Sequence, residues 1–196
     1  MAYVDTRSHL TYATRKQIIA GFETLIEEII EREDAEIYYV NFLFNGLPGR
    51  ELTKIDIMKQ EVIRFHCLLK RHVVRKWDRP GWRELVPVLI GAPDYPVVKR
   101  TKVDVRLLQV NGGLHFNAVV LLPPRFELPQ VTGERQSRLK ESLVIHVAEK
   151  QAEYLTDKLY RIHVTPMMTG TTMADYTLKA FKNGRTTSDD ILILNS

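Results

Sequence analysis

Residues 105–123 read VRLLQVNGGLHFNAVVLLP. Two apolar runs flank Asn111, Gly112 and Gly113, and Pro123 with Pro124 closes the second run. Asn and Gly tolerate the positive φ that a tight turn requires, so this pattern is a hairpin signal. It predicts two strands, about Lys102–Val110 and Leu114–Leu122. Side chains alternate faces along a strand, so His115 and Asn117 point one way and Phe116 the other. Pairing Val110 with Leu114 across the turn sets Gln109 opposite His115, on the same face. Gln109, His115 and Asn117 then form a cluster of one imidazole and two amides. A register slip of one residue would disperse it.

Working outward, residues 36–44 are dense in β-branched and aromatic side chains and read as a buried strand, with Asn45 to Gly49 ending it. Thr14 and Gln17 have capping-box spacing and open an amphipathic helix striped by Ile18, Ile19, Phe22, Leu25, Ile26, Ile29 and Ile30. Thr53 is placed to cap a second helix running to about Trp77. Pro80, Pro87, Pro93 and Pro96 make 80–98 an irregular excursion, with a short piece of structure near Leu85–Ile90. Downstream, the pattern predicts a helix over Ser137–Thr156 and a strand over Leu159–Val164 that Pro166 ends. A helix over Thr172–Lys182, closed by Asn183 and Gly184, and a short strand over Asp190–Leu194 follow. The order α-β-α-ββ-α-β-α implies an α+β fold, a central antiparallel sheet with helices packed against it. Residues 1–35 form a helical extension and 36–196 the main domain.

The chain has 196 residues, 44% hydrophobic and 27% charged, enough for one domain or a domain plus an appendage. No apolar run approaches the ~20 residues that span a bilayer, and the first residues lack the apolar core of a secretory signal. These features lead to the expectation of no membrane partner and a cytoplasmic location. The single cysteine, Cys67, excludes an intramolecular disulfide, fits a reducing compartment and reads as buried filler in an apolar helix. Net charge is +4, and basic residues crowd the stretch from Arg64 to Lys102, including Arg71 and Arg75. The first helix is acidic instead. A basic middle suits a polyanionic partner through counterion release, and Arg71, Arg75, Lys182 and Arg185 are candidate nucleic-acid contacts. A solvated surface would show the same charges. No glycine-rich phosphate loop is present.

A polar sheet face can hold Mg²⁺ or Mn²⁺ with positions left open for phosphate oxygens. Such a metal polarises a phosphodiester and steadies developing negative charge. Tyrosine oxygen is a competent nucleophile when a metal or lysine favours its ionised form. Tyr176 and Lys179 lie three apart, on one helix face. Taken singly, a His-x-Asn strand and a Tyr-x-x-Lys helix are also ordinary structural patterns. His66, His72, His146 and His163 read as structural or surface residues.

The order of these features resembles that of the Rep-type HUH endonucleases, the initiators of rolling-circle replication in small plasmids, phages and single-stranded DNA viruses. An early hydrophobic strand is matched by Tyr38–Phe44. The His-hydrophobic-His motif is matched by His115, Phe116 and Asn117. The later tyrosine helix is matched by residues 174–184, with Tyr176 and Lys179. The resemblance covers roughly residues 36–194 and implies a ferredoxin- or RRM-like sheet. It also implies that His115 and Asn117 bind Mg²⁺ or Mn²⁺, with Gln109 where the family often has an acidic third ligand. Tyr176 would attack single-stranded DNA, leaving a 5′-phosphotyrosine and a free 3′-hydroxyl, with Lys179 assisting at the phosphate. Asn117 stands where the family usually has His, and a neutral Gln, His and Asn set binds hard cations weakly. The alternatives are a non-catalytic, domesticated or degenerate nucleic-acid-binding module of the same fold, and a regulatory protein that docks a partner on its acidic first helix.

Overall fold

The computed structural model describes residues 10–74, 85–95, 110–123, 139–168 and 173–195. Among them run helix α1 (Tyr12–Glu33), strand β1 (Glu36–Phe44), α2 (Glu51–Val73), β2 (Val88–Asp94) and β3 (His115–Leu122). Helices α3 (Leu143–Glu149) and α4 (Gln151–Tyr154), strand β4 (Leu159–Met167), helices α5 (Met173–Thr177) and α6 (Lys179–Lys182), and strand β5 (Leu192–Leu194) follow. The fold is α+β. Its five-stranded antiparallel sheet has the order β4-β1-β3-β2-β5. Each β-α-β crossover, β1-α2-β2 and β3-α3-α4-β4, spans one intervening antiparallel strand, the split β-α-β arrangement.

β3 lies between β1 and β2 and is buried on both faces, which explains its continuous apolar run. Phe116, Ala118, Val120 and Leu122 face a core shared with Phe42, Phe65, Leu69 and Tyr154, roofed by α2, α3 and α4. Phe42 meets Phe65 edge to face at 5.0 Å between ring centroids. Each such ring contributes roughly 1.5–3 kcal/mol by leaving water. Val119 and Leu121 face the other core, with Ile19, Ile26, Ile29, Ile90 and Phe181 from α1, β2 and α6. Asn41, Leu43 and His163 lie on this face of the sheet, outside the residues of that second core.

The second strand of the expected hairpin is β3. Its expected partner, 102–109, lies outside the described residues, and Val110 belongs to a turn. Asn111 and Gly112 are left-handed there, at φ 56° and 66°. β1 and β2 occupy both edges of β3 from Phe116 to Leu121. The short piece of structure expected near Leu85–Ile90 is β2, which runs on to Asp94. Thr11 caps α1, its hydroxyl accepting from the Thr14 N–H at 3.1 Å, so Thr14 lies inside the helix. α2 begins at Glu51 without a side-chain cap, so Thr53 is also internal. The long third helix is two short ones starting at Leu143, and the last helix breaks at Leu178. Pro166 sits within β4 because that strand is the sheet's edge and needs no donor on its outer side. Cys67 is exposed rather than buried, on the solvent side of α2. No helix among the described residues is long and apolar enough to cross a membrane.

Gly91 allows β2 to approach β3. A Cβ there would lie 2.6 Å from the Asn117 carbonyl oxygen and 2.8 Å from the Ala118 Cβ. Backbone cannot give way cheaply, so Gly91→Val should destabilise by about 2–3 kcal/mol in urea unfolding, as overpacked cores do.

Histidines govern stability in mild acid. His146 Nε2 lies 2.9 Å from the Tyr154 hydroxyl, and its ring is 4.9 Å from that of His72. Burial, then the neighbouring His72 and Lys150, push its pKa down to about 4 against the opposing pull of Glu153. Burial also lowers His66, whose Nε2–H donates to the Pro87 carbonyl at 2.8 Å. Both histidines are therefore held neutral in the fold, and their contribution is complete above the unfolded value of about 6.5. It is lost as pH falls from 6.5 towards 4. The His146 shift alone corresponds to about 3 kcal/mol, which partial exposure screens to about 1 kcal/mol. Urea unfolding at pH 7 and pH 5 should show this drop, and His146→Gln should shrink it.

Candidate functional site

The register of three strands assembles one polar patch. Asn41 on β1 pairs with Asn117 on β3, and Asp94 at the end of β2 pairs with His115. Asn41 Nδ2 donates to Asn117 Oδ1 at 2.6 Å, and Asn117 Nδ2 donates to Asp94 Oδ2 at 3.2 Å. Asn117 is fully buried, so its amide is satisfied at both ends by these two partners.

Asp94 is the centre of the patch. Only 2% of it is exposed. Its Oδ2 also meets Lys179 Nζ at 2.8 Å and faces His115 Nε2 at 3.6 Å. Its Oδ1 is buried without a hydrogen-bond partner among the described residues. His115 Nδ1–H donates to the Gly113 carbonyl at 2.9 Å. That bond fixes the tautomer and turns the Nε2 lone pair towards the carboxylate.

Lys179 links this cluster to the tyrosine. Its ammonium lies 5.5 Å from the centroid of the Tyr176 ring while bonded to Asp94. The Tyr176 ring stands edge-on to Tyr39 of β1 at 5.4 Å and is about half exposed. Burial, then the neighbouring Tyr176, push the Tyr39 hydroxyl well above its ordinary range, so it stays protonated. The break at Leu178 between α5 and α6 sets Tyr176 and Lys179 on separate short helices, yet both still reach the patch.

Of the residues expected from sequence, His115, Asn117, Tyr176 and Lys179 come together. Gln109 and Arg75 lie outside the described residues. His115 is opposed by Asp94 on β2, which holds the acidic position earlier given to Gln109. Lys182 Nζ is bonded to Asp175 Oδ1 and Oδ2 at 2.6 and 2.8 Å, and Arg185 is exposed just beyond α6. Arg71 ends α2, which roofs the opposite face of the sheet, so it is not brought to this patch. Asp94, Asn41 and Tyr39 were missed by the sequence reading. For Asp94 the signal was present, a lone carboxylate closing the apolar run Val86–Ala92, but Pro87 and Pro93 argued against a strand.

No family model, curated protein or solved structure matches the chain.

A buried carboxylate that loses its cation is left uncompensated. Lys179→Met should therefore destabilise by about 2 kcal/mol, below the ~3–5 kcal/mol of a fully dry pair because the ammonium is partly wet. Adding Asp94→Asn to Lys179→Met should recover much of that loss in the same chemical-denaturation experiment.

Proposed function

We propose that the chain nicks and rejoins single-stranded DNA through a covalent tyrosine intermediate. The observation that carries this reading is the meeting of Asp94, His115 and Asn117 with Lys179 and Tyr176 on one sheet face. Tyr176 gives up its hydroxyl proton to solvent as its oxygen attacks the phosphorus, a P–O bond forms, and the bond to the 3′ oxygen breaks. The departing oxygen takes up a proton to become a 3′-hydroxyl, and the 5′ phosphate stays on the tyrosine. Attack by a 3′-hydroxyl on that link reverses the step and joins the strand. Lys179 places its charge beside the tyrosine ring, where it offsets negative charge growing on the phosphate oxygens. Tyr39, whose ring meets that of Tyr176 edge to face at 5.4 Å, helps to orient the nucleophile.

Asp94 and His115 offer donors that fit a hard divalent cation, while the Asn117 amide oxygen accepts from Asn41. The unpartnered Asp94 Oδ1 and the inward lone pair of His115 are an oxygen and an imidazole donor of the kind Mg²⁺ and Mn²⁺ accept. When bound, such an ion supplies Lewis-acid polarisation of the phosphate. One observation favours the second reading, a binding module without catalysis: the Asn117 amide is already engaged at both ends.

The two readings part in one assay. End-labelled single-stranded DNA of random sequence, incubated with Mn²⁺, should yield a protein–DNA adduct stable to denaturant. Tyr176→Phe should abolish it and Asp94→Asn should lower it by at least about 100-fold, the scale of a lost electrostatic stabiliser. Salt-sensitive DNA binding with no adduct, unaltered by Tyr176→Phe, selects the binding module instead.

A further inference from the structure

Beside the polar patch lies a cavity of about 290 Å³ that the catalytic reading does not use. Its walls are Leu43, Phe44, Leu114 and the ring of Tyr160, with Val110 and Gly113 from the turn before β3. Asn41 and His115 form its inner edge, so the cavity and the patch share two residues. A register irregularity between Leu43 and Phe44, where β1 pairs with β4, brings Tyr160 to this opening. Arg161, exposed and paired with Leu43, follows Tyr160 along the same edge strand.

We propose that this cavity receives one unpaired nucleobase of the nucleotide next to the phosphate that Tyr176 and Lys179 meet. The inference rests on the single-strand reading above and deepens it. Three features argue for a base. The chamber is apolar over most of its wall and polar at one edge, which matches a heterocycle with a flat face and a hydrogen-bonding rim. A tyrosine ring is available for stacking, which is sequence-tolerant because every base has a π-face. Its volume is at the lower end of the ~300–1,000 Å³ of small-ligand pockets, so a base must leave its partner to enter. Selectivity for single strands follows from the cavity's size.

The test uses the full chain carrying Tyr176→Phe, which binds without forming a link. Single-stranded 12-mers containing 2-aminopurine report stacking by a change in fluorescence, and anisotropy reports affinity. Tyr160→Ala, at a partly exposed position, and Leu43→Trp, which fills the chamber, should each weaken binding about tenfold and suppress the fluorescence change. Adduct formation by the Tyr176 protein is followed on the same oligonucleotides. Adducts that form while both pocket variants bind as tightly as their parent overturn the cavity's role and leave the single-strand reading standing. Absence of any binding to single-stranded DNA overturns both. Equal affinity for a duplex of the same sequence also overturns the proposal, because a paired base cannot enter.

Discussion

The register of β3 between β1 and β2 is the constraint on which the site depends. Phe116 sits in the core roofed by α2, while Asn117 meets Asn41 and Asp94 on the other face. A slip of one residue would carry Phe116 out and push the Asn117 amide in among Phe42 and Phe65. An amide buried without partners costs about 1–3 kcal/mol, and the lost ring contacts add to it. The apolar residues of β3 thus hold the polar ones in place. Gly91 completes the arrangement by letting β2 close against β3, which sets Asp94 opposite His115.

How far this was legible depends on what each element asks of its neighbours. β1 and β3 announce themselves through their own composition, and the face shared by His115 and Asn117 follows from period two alone. The reach of Tyr176 and Lys179 to one place survived even though the helix carrying them is broken. The full extent of β2 was not read because Pro87 and Pro93 argued against a strand. Pro93 is tolerated for a reason only topology supplies. β5 pairs with β2 from Leu89 to Gly91 and does not reach Pro93, so no ladder bond is lost on that side. The same logic admits Pro166 on the edge strand β4.

Charge was a poorer guide than strand pattern. Arg64 and Lys70 belong to the basic stretch that pointed to a nucleic-acid surface, yet both are drawn into the fold. Arg64 donates to the carbonyls of Glu153, at 3.2 Å, and Tyr154, the last residues of α4, where the helix end carries partial negative charge. Its Nε–H also reaches Glu61 at 3.0 Å. Lys70 is 7% exposed. A linear count of cations cannot separate those that tie a helix end from those that face solvent. Cys67 makes the converse point. It lies between the buried His66 and the partly buried Leu68, and helical phase puts it outside.

The carboxylate of Asp94 carries the strongest argument that the patch is more than structural. A carboxylate kept only for stability would have both oxygens satisfied, since each buried oxygen without a partner costs about 1–3 kcal/mol. Asp94 instead concentrates Lys179, Asn117 and His115 on Oδ2 and leaves Oδ1 bare among the described residues. An apolar side chain at the end of β2 would avoid this cost, as Ala92 does two residues earlier on the same face. The local rule is broken where a lysine, an imidazole lone pair and a tyrosine converge, and sites that break local rules are where function is expected to lie.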